Sequence, residues 1–220
     1  MHDDILADAL YTSNMNTKKS VKFLVLVGIK HSGKSSVGKI VAEQLNCTFI
    51  DVDDVIEDIS NMSCRDLYRE KGVSVFQSVE LAACEKVLNT LSHKDDSSHM
   101  VNNDNFCAVV ATGGGLCNNS RAVTVLKNSN VSLCYLSVPE NIACNRIIEN
   151  SKKRGSYPPY IVKSIKNNGA TKYSEAEIRR AFHSFYIERT RKYEQIADVL
   201  VCVDDSPKKE NAQRLLDAFK

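Results

Sequence analysis

Three features that mark particular classes of protein are missing from this sequence. Its 29 basic and 27 acidic residues nearly cancel, giving a formal net charge of +2, so we expect neither a nucleic-acid-binding face nor a polybasic membrane contact. Its eight cysteines form no Cys-x-x-Cys pair, which argues against a metal or disulfide framework and favours reduced thiols packed as small hydrophobic groups. Residues 1–20 have no sustained apolar centre, so we expect an N-terminal extension rather than a signal peptide, and a cytoplasmic, monomeric protein.

What the sequence does contain is a series of short apolar runs rich in β-branched residues. There are five: Val21 to Val27, Thr48 to Ile50, Phe106 to Ala111, Val131 to Val138 and Val199 to Val203. Segments with helical spacing separate them. Because continuous apolar runs are typical of strands covered on both faces, the sequence predicts an α/β fold, with a doubly wound, five-stranded parallel sheet in a single domain over 21–220.

Two stretches interrupt this alternation of strands and helices. Residues 92–105 are polar, and we expect a mobile surface loop there. Residues 150–174 are basic and rich in turn-forming residues, and we interpret them as a lid inserted in the domain.

The first apolar run leads into a Gly-x-x-x-x-Gly-Lys-Ser motif and then a helical pattern, the order that a phosphate-binding loop requires. Gly28 and Gly33 allow the backbone N–H groups to curl towards phosphate oxygens, Lys34 reaches the β and γ phosphates, and Ser35 offers a hydroxyl to Mg²⁺. A glycine turn with an incidental lysine explains this order less well. The residues assigned to the nucleotide are Gly28, Ile29, Lys30, His31, Ser32, Gly33, Lys34, Ser35, Ser36 and Arg146. His31 is expected to be a solvated loop residue.

The second apolar run ends in a pair of carboxylates, Asp51 and Asp53. Two residues apart in an extended segment, they would face the same side at the carboxyl end of a strand, where open α/β sheets place ligands. One carboxylate beside Mg²⁺ and one beside a hydroxyl is what phosphoryl transfer needs. On this feature alone, a solvated acidic turn is the commoner explanation.

Three glycines, Gly113 to Gly115, follow the third apolar run directly. Residues without side chains let the backbone approach a ligand closely and expose N–H donors to it. A plain flexible turn is the competing interpretation.

Together with the phosphate loop, the segments "IDVDDVIE", "FQSVE", "ATGGG" and "ERTRKYEQIAD" occur in the order seen in shikimate kinases, and the resemblance covers nearly all of 22–204. It implies an ATP-dependent kinase that phosphorylates a hydroxyl of a small carboxylated ring, with Lys34 as a catalytic residue and Mg²⁺ shared by Ser35 and Asp51. Asp53 would hold the substrate hydroxyls and act as the base. The remaining substrate contacts implied are Gly113, Gly114, Gly115, Gln77 and Arg189.

Arg189 can also be judged from its helical position. Ser174 and Glu177 predict the start of a helix whose apolar face includes Ile178 and Phe182, and Arg189 falls on the same stripe. An inward guanidinium needs an anion, and a substrate carboxylate or an internal Asp or Glu fits equally well.

The sequence departs from the resemblance at two places. Gln77 stands where these kinases carry an arginine that clamps the substrate carboxylate, and "SYPPY" replaces an Arg-Pro pair in the lid. Arg154 is the nearest candidate for the lid arginine, with a solvated basic run as the alternative; Arg179 or Arg180 could also fill the gap. The acceptor could then be shikimate or another polyol, sugar acid or nucleotide, or the chain could be a non-catalytic nucleotide-binding protein.

Overall fold

The computed structural model describes residues 23–94, 106–127, 130–165 and 173–220. Within them, five parallel strands form a single sheet with the order β2-β3-β1-β4-β5. The strands are β1 (Phe23–Val27), β2 (Thr48–Asp51), β3 (Ala108–Ala111), β4 (Val131–Ser137) and β5 (Val199–Cys202). The predicted doubly wound α/β fold is therefore confirmed, and strand limits differ from the apolar runs by two residues at most within the described residues.

Strand β1 is the central strand of the sheet. Phe23 lies opposite Ala108 of β3 on one side and Val131 of β4 on the other. All five of its side chains are buried, as expected for a strand covered by helices on both faces. The loops that follow β1 and its neighbour β3 consequently emerge side by side, at the edge where such sheets bind ligands.

Helices cover both faces of the sheet and make up most of the remaining described residues. They are α1 (Lys34–Leu45), α2 (Val52–Ser60), α3 (Cys64–Lys94), α4 (Ser120–Leu126), α5 (Glu140–Arg154), α6 (Pro159–Val162), α7 (Glu175–Ile196) and α8 (Lys208–Asp217). Helix α3 is broken at Gly72, whose φ of 82° and ψ of 177° are not helical. A left-handed φ of this kind favours glycine.

The prediction of a loop over 92–105 can be compared with the structure only at residues 92–94. The expectation of a loop from residue 92 is wrong, because helix α3 continues to Lys94. Polar composition does not by itself end a helix, since serine, histidine and lysine are all tolerated in helix interiors. Residues 95–105 lie outside the described residues, as do 1–22 and the 166–172 part of the predicted lid.

Local patterns of the sequence were otherwise reliable. Ser174 and Glu177 form the predicted capping box at the start of α7, and Ile178 and Phe182 on its apolar stripe are buried. Among the cysteines, Cys84, Cys134 and Cys144 are buried thiols as expected, whereas Cys107 and Cys202 are exposed, so for these two the expectation of packed thiols is wrong. None of the described helices is long and apolar enough to cross a bilayer.

Candidate active site

The loop between β1 and α1 has the backbone geometry of an anion-binding loop. Gly28 and Gly33 have φ angles of 146° and 98°, and His31 is also left-handed, with φ 64°. A Cβ at Gly28 would lie 2.8 Å from the carbonyl oxygen of Leu136, so any larger residue there would displace the loop. No side chain caps the first turn of α1, and its N–H groups and positive dipole end are therefore available to an anion.

Lys34 is buried at the base of this loop. Its ammonium donates hydrogen bonds of 2.9 Å to the carbonyl oxygens of both Gly28 and Ile29. Burial lowers the pKa of Lys34 to about 8, although the nearby carboxylates of Asp53 and Asp51 act in the opposite direction. The predicted phosphate ligand is thus held beside the two predicted acidic site residues.

His31 is half-buried, which corrects the expectation of a solvated residue. Its carbonyl oxygen accepts a 3.0 Å hydrogen bond from Arg146. Burial, followed by the charges of Lys30, Lys34, Arg154 and Arg146, lowers the pKa of His31 to about 4. At neutral pH the imidazole is uncharged. The charges of four basic side chains are therefore felt at this position of the loop.

An open cleft of about 470 Å³ lies on one side of the loop. Arg146 of α5 spans it: the guanidinium donates to the His31 carbonyl, to the Asp204 carbonyl at 2.8 Å, and pairs with the Asp205 carboxylate at 2.8 Å. Residues that line this cleft include His31, Gly33, Ser36, Arg146, Asp204 and Lys208. The cleft therefore joins the loop to the turn between β5 and α8, and brings in acidic residues that the sequence did not single out.

Asp51, the last residue of β2, and Asp53 do not lie in one extended segment, so that part of the expectation is wrong. Strand β2 ends at Asp51 and α2 begins at Val52, because Asp51 acts as the helix cap: its Oδ1 accepts a 3.1 Å hydrogen bond from the Asp53 backbone N–H. Asp53 sits in the first helical turn. Burial, and then the charge of Asp51, raises the pKa of Asp53, while Lys34 and Lys30 lower it.

The three glycines after β3 are sites of close packing rather than of flexibility. A Cβ at Gly113 would lie 3.0 Å from Asp53 Oδ1 and a Cβ at Gly114 only 2.5 Å from the Lys30 backbone nitrogen. A Cβ at Gly115 would lie 3.7 Å from the guanidinium nitrogens of Arg189. This short segment therefore touches the phosphate loop, the acidic pair and the predicted carboxylate ligand at once.

Arg189 points from α7 into the same region. It donates a hydrogen bond to the Gly114 carbonyl oxygen, and its guanidinium lies 3.8 Å from the ring centre of Phe185. Its Nε is buried without a hydrogen-bond partner. No carboxylate within the described residues forms an ion pair with Arg189, which weighs against the internal Asp or Glu that the sequence left open.

Gln77 of α3 is hydrogen-bonded to the segment between β3 and α4. Its side-chain amide donates to the Asn118 carbonyl at 2.9 Å.

One helical turn later lies Glu80, which was quoted in the motif but given no role. This carboxylate is only 2% exposed, accepts a 2.9 Å hydrogen bond from Asn119, and has its pKa raised to about 7 by burial. The missed signal was a carboxylate at helical spacing from a predicted ligand.

The candidate lid arginines differ in where they lie. Arg154 is the last residue of α5, and its charge lowers the pKa of Lys30 in the loop. Arg179 instead pairs with Glu175 at 2.7 Å and donates to Asn145 at 2.7 Å. These contacts hold Arg179 on the exposed surface between α5 and α7, and the structure does not bring it to the site.

Comparison with known proteins agrees with this arrangement. The family model for shikimate kinase matches residues 30–220. A shikimate kinase of Sulfurihydrogenibium sp. is 35% identical over 127 residues, 58% of this chain and 67% of the relative. A shikimate kinase of Caldanaerobacter subterraneus is 28% identical over 199 residues, 90% of this chain and 96% of the relative.

Two solved structures share the fold. Shikimate kinase from Acinetobacter baumannii in complex with shikimate superimposes with a TM-score of 0.68 at 18% identity, covering 91% of this chain and 94% of that one. The shikimate kinase from Aquifex aeolicus superimposes with a TM-score of 0.60 at 24% identity, covering 90% of this chain and 95% of that one. Because the family model matches most of the length of this chain, the chain belongs to the shikimate kinase family.

Proposed function

We propose that the protein is an ATP-dependent kinase that transfers the γ-phosphoryl group of ATP to a hydroxyl of shikimate. Family membership supports this function. The observation that carries it is the convergence of Lys34, Asp53, Gly113 and Arg189 at the carboxyl ends of β1, β2 and β3. These groups come from four separate segments, and together they supply a phosphate ligand, a base and a carboxylate ligand, the parts that this reaction requires.

The nucleotide would occupy the loop and the adjoining cleft. Backbone N–H groups from Gly28 to Ser36 would bind the β and γ phosphates, and the ammonium of Lys34 would exchange its carbonyl partners for phosphate oxygens. The cleft spanned by Arg146 is continuous with the loop and has room for the ribose and base. The positive charge around His31 favours an anionic ligand here.

Ser35 and Asp51 would hold Mg²⁺. Within the described residues no three His, Cys, Asp or Glu side chains could hold a metal ion by themselves, but Mg²⁺ usually takes one or two carboxylates plus substrate phosphates and water. The donor set fits this pattern, since Ser35 is exposed at the loop and the charge of Asp51 is felt at Lys34. When bound, the ion neutralises charge on the β and γ phosphates.

Asp53 would accept the proton of the attacking hydroxyl. Its carboxylate lies beside Gly113 and within the field of Lys34, and burial raises its pKa, which strengthens it as a base. Arg189 would bind the acceptor carboxylate, because its guanidinium has no carboxylate partner among the described residues. The N–H groups of Gly114 and Gly115 would hold the ring between these two side chains.

The remaining predictions concern the surroundings of this site. We infer that residues 150–174 act as the lid and that Arg154 faces the transferring phosphoryl group, since its charge reaches the loop. A single domain over 21–220, a cytoplasmic location and a monomeric state stay predictions.

The assay that tests the function is ADP release from MgATP with shikimate, gluconate and a nucleoside monophosphate as separate acceptors. We expect shikimate-dependent ADP release and a phosphorylated product that gains the mass of one phosphoryl group. Turnover with gluconate or the nucleotide in its place would assign another acceptor to the same scaffold. Binding of ATP without turnover of any acceptor would support a non-catalytic nucleotide-binding protein.

A further inference from the structure

Lys30 is the second lysine of the phosphate loop, and its surroundings differ from those of Lys34. Lys34 is buried and its ammonium donates to loop carbonyls. The ammonium of Lys30, by contrast, has no hydrogen bond or ion pair to any group in the described part of the chain. A loop lysine left without an internal partner is available to a ligand.

The backbone of Lys30 lies against the acceptor side of the loop. A Cβ at Gly114 would lie 2.5 Å from the Lys30 nitrogen and 2.9 Å from the Lys30 Cβ, and the Gly114 carbonyl accepts from Arg189. The nucleotide cleft is lined by the next three loop residues, His31, Ser32 and Gly33. Lys30 is not among the described residues that line it. The loop therefore buries the side chain of Lys34. It places the backbone of Lys30 against Gly114, on the side of the site where the acceptor is expected.

Several nearby groups influence the ammonium of Lys30. Burial has the largest effect and lowers the pKa of Lys30; Asp53 raises it, while Arg154 and Arg65 lower it. Arg65 in turn donates to the Ser156 hydroxyl at 2.8 Å, inside the predicted lid. Lys30 is therefore within the electrostatic influence of the predicted base and of Arg65, which itself contacts the lid.

We propose that Lys30 contacts the phosphoryl group during transfer and supplies, from the loop, positive charge that the "SYPPY" segment lacks. This role rests on the proposed function. In the step, the acceptor oxygen forms a bond to the γ-phosphorus as the bond from that phosphorus to the bridging oxygen of ADP breaks, and the hydroxyl proton passes to Asp53. Lys30 keeps its proton and stabilises the charge on the equatorial oxygens.

The direct test replaces Lys30 by methionine, which keeps the length of the stem and removes the charge. We expect kcat for shikimate phosphorylation to fall about 10²-fold, with the Kd for MgATP unchanged. Lys30→Arg should recover part of the loss. Lys86→Met, an exposed lysine on α3, is the matched control and should leave kcat unchanged. Equal losses in kcat and in MgATP affinity would make Lys30 a nucleotide ligand, and unchanged kcat would make it a solvated lysine; either overturns the proposal.

A binding measurement keeps this test independent of the acceptor. Aluminium fluoride with MgADP mimics the transferring group, so it should tighten MgADP binding in the wild type, and Lys30→Met should lose most of that tightening while binding MgADP alone normally. If the wild type does not phosphorylate shikimate, the proposed function fails, yet this comparison still decides the role of Lys30. Equal tightening in the wild type and the variant would overturn that role. Thermal melting of each variant checks that the fold is retained.

Discussion

The nucleotide side and the acceptor side of the site are built in different ways. Between Gly28 and Ser36, one continuous segment provides backbone N–H groups, a helix end and Lys34. On the acceptor side, Asp53, Glu80 and Arg189 come from three different helices, and Arg189 is far from the other two in the sequence. Departures from the family resemblance, at Gln77 and in the lid, fall on the acceptor side. Where one segment binds a ligand through its backbone, most substitutions would disturb that backbone. Where separate side chains bind the ligand, a single substitution can change one charge and leave the other contacts in place.

The sharpest way to separate the two sides is Asp53→Asn. The amide keeps the shape of the carboxylate but cannot accept the proton, so kcat should fall by about 10²- to 10⁴-fold, with little change in the Kd for MgATP. Steady-state kinetics and nucleotide titration measure the two effects. Asp54→Asn, on the exposed face of the same turn, is the control. A normal kcat in Asp53→Asn would mean that the pair is only an acidic turn.

Lys34→Ala should damage the nucleotide side itself. It removes the ammonium buried in the loop, and we expect turnover to fall by about 10²- to 10³-fold and MgATP to bind more weakly. Calorimetry with MgATP and circular dichroism measure binding and fold together. Lys39→Ala removes an exposed lysine from the same helix and should leave both unchanged. Normal MgATP affinity in a folded Lys34→Ala protein would contradict the phosphate-loop assignment.

Gln77→Arg should strengthen binding of shikimate on the acceptor side. A second cation beside the shikimate carboxylate should lower the KM for shikimate by roughly ten- to a hundredfold, about 1.5 to 3 kcal/mol. The buried carboxylate of Glu80, one turn along α3, can also pair with the new guanidinium. Gln77→Met loses the same contact to Asn118 without adding charge, so the difference between the variants isolates the cation. A higher KM in Gln77→Arg would show that the acceptor has no carboxylate there.

Among these substitutions, Glu80→Gln should have the smallest effect, and that effect should be on the free energy of unfolding. Burial has the largest influence on the Glu80 carboxyl and raises its pKa to about 7, although the hydrogen bond from Asn119 lowers it. The pKa of Glu80 is near 4.5 in the unfolded chain and about 7 in the native state. At pH values between these two, the Glu80 carboxyl keeps its proton in the native state and has lost it in the unfolded state. The stability of the wild type therefore falls as pH rises through this window.

Relative to the wild type, the Glu80→Gln variant should gain about 1 to 3 kcal/mol in free energy of unfolding between about pH 4.5 and pH 8. Urea denaturation at the two pH values measures this gain. The amide carbonyl introduced by this substitution can still accept from Asn119, so the packing is kept. Glu85→Gln, exposed on the same helix, should follow the wild-type profile. Parallel profiles for Glu80→Gln and the wild type would mean that Glu80 is ionised in the native state.

The sequence by itself determined the elements whose signals are local. Apolar runs predicted all five strands, the Gly-x-x-x-x-Gly-Lys-Ser motif predicted the loop from β1 into α1, and Ser174 with Glu177 predicted the start of α7. Each of these depends on neighbours within a turn or two of chain, so hydrophobic periodicity and hydrogen-bonding side chains are sufficient to specify them.

Only the tertiary structure decided how the side chains of the site meet. Asp51 proved to be a helix cap, Glu80 a buried carboxylate, and Arg189 a guanidinium without a carboxylate partner in the described residues. Lys30 and Lys34, four residues apart, proved to have different surroundings because Gly114 packs against only one of them. Burial and charge at these positions depend on residues tens of positions away in the chain, and distances of that kind are set by packing, which no local pattern records.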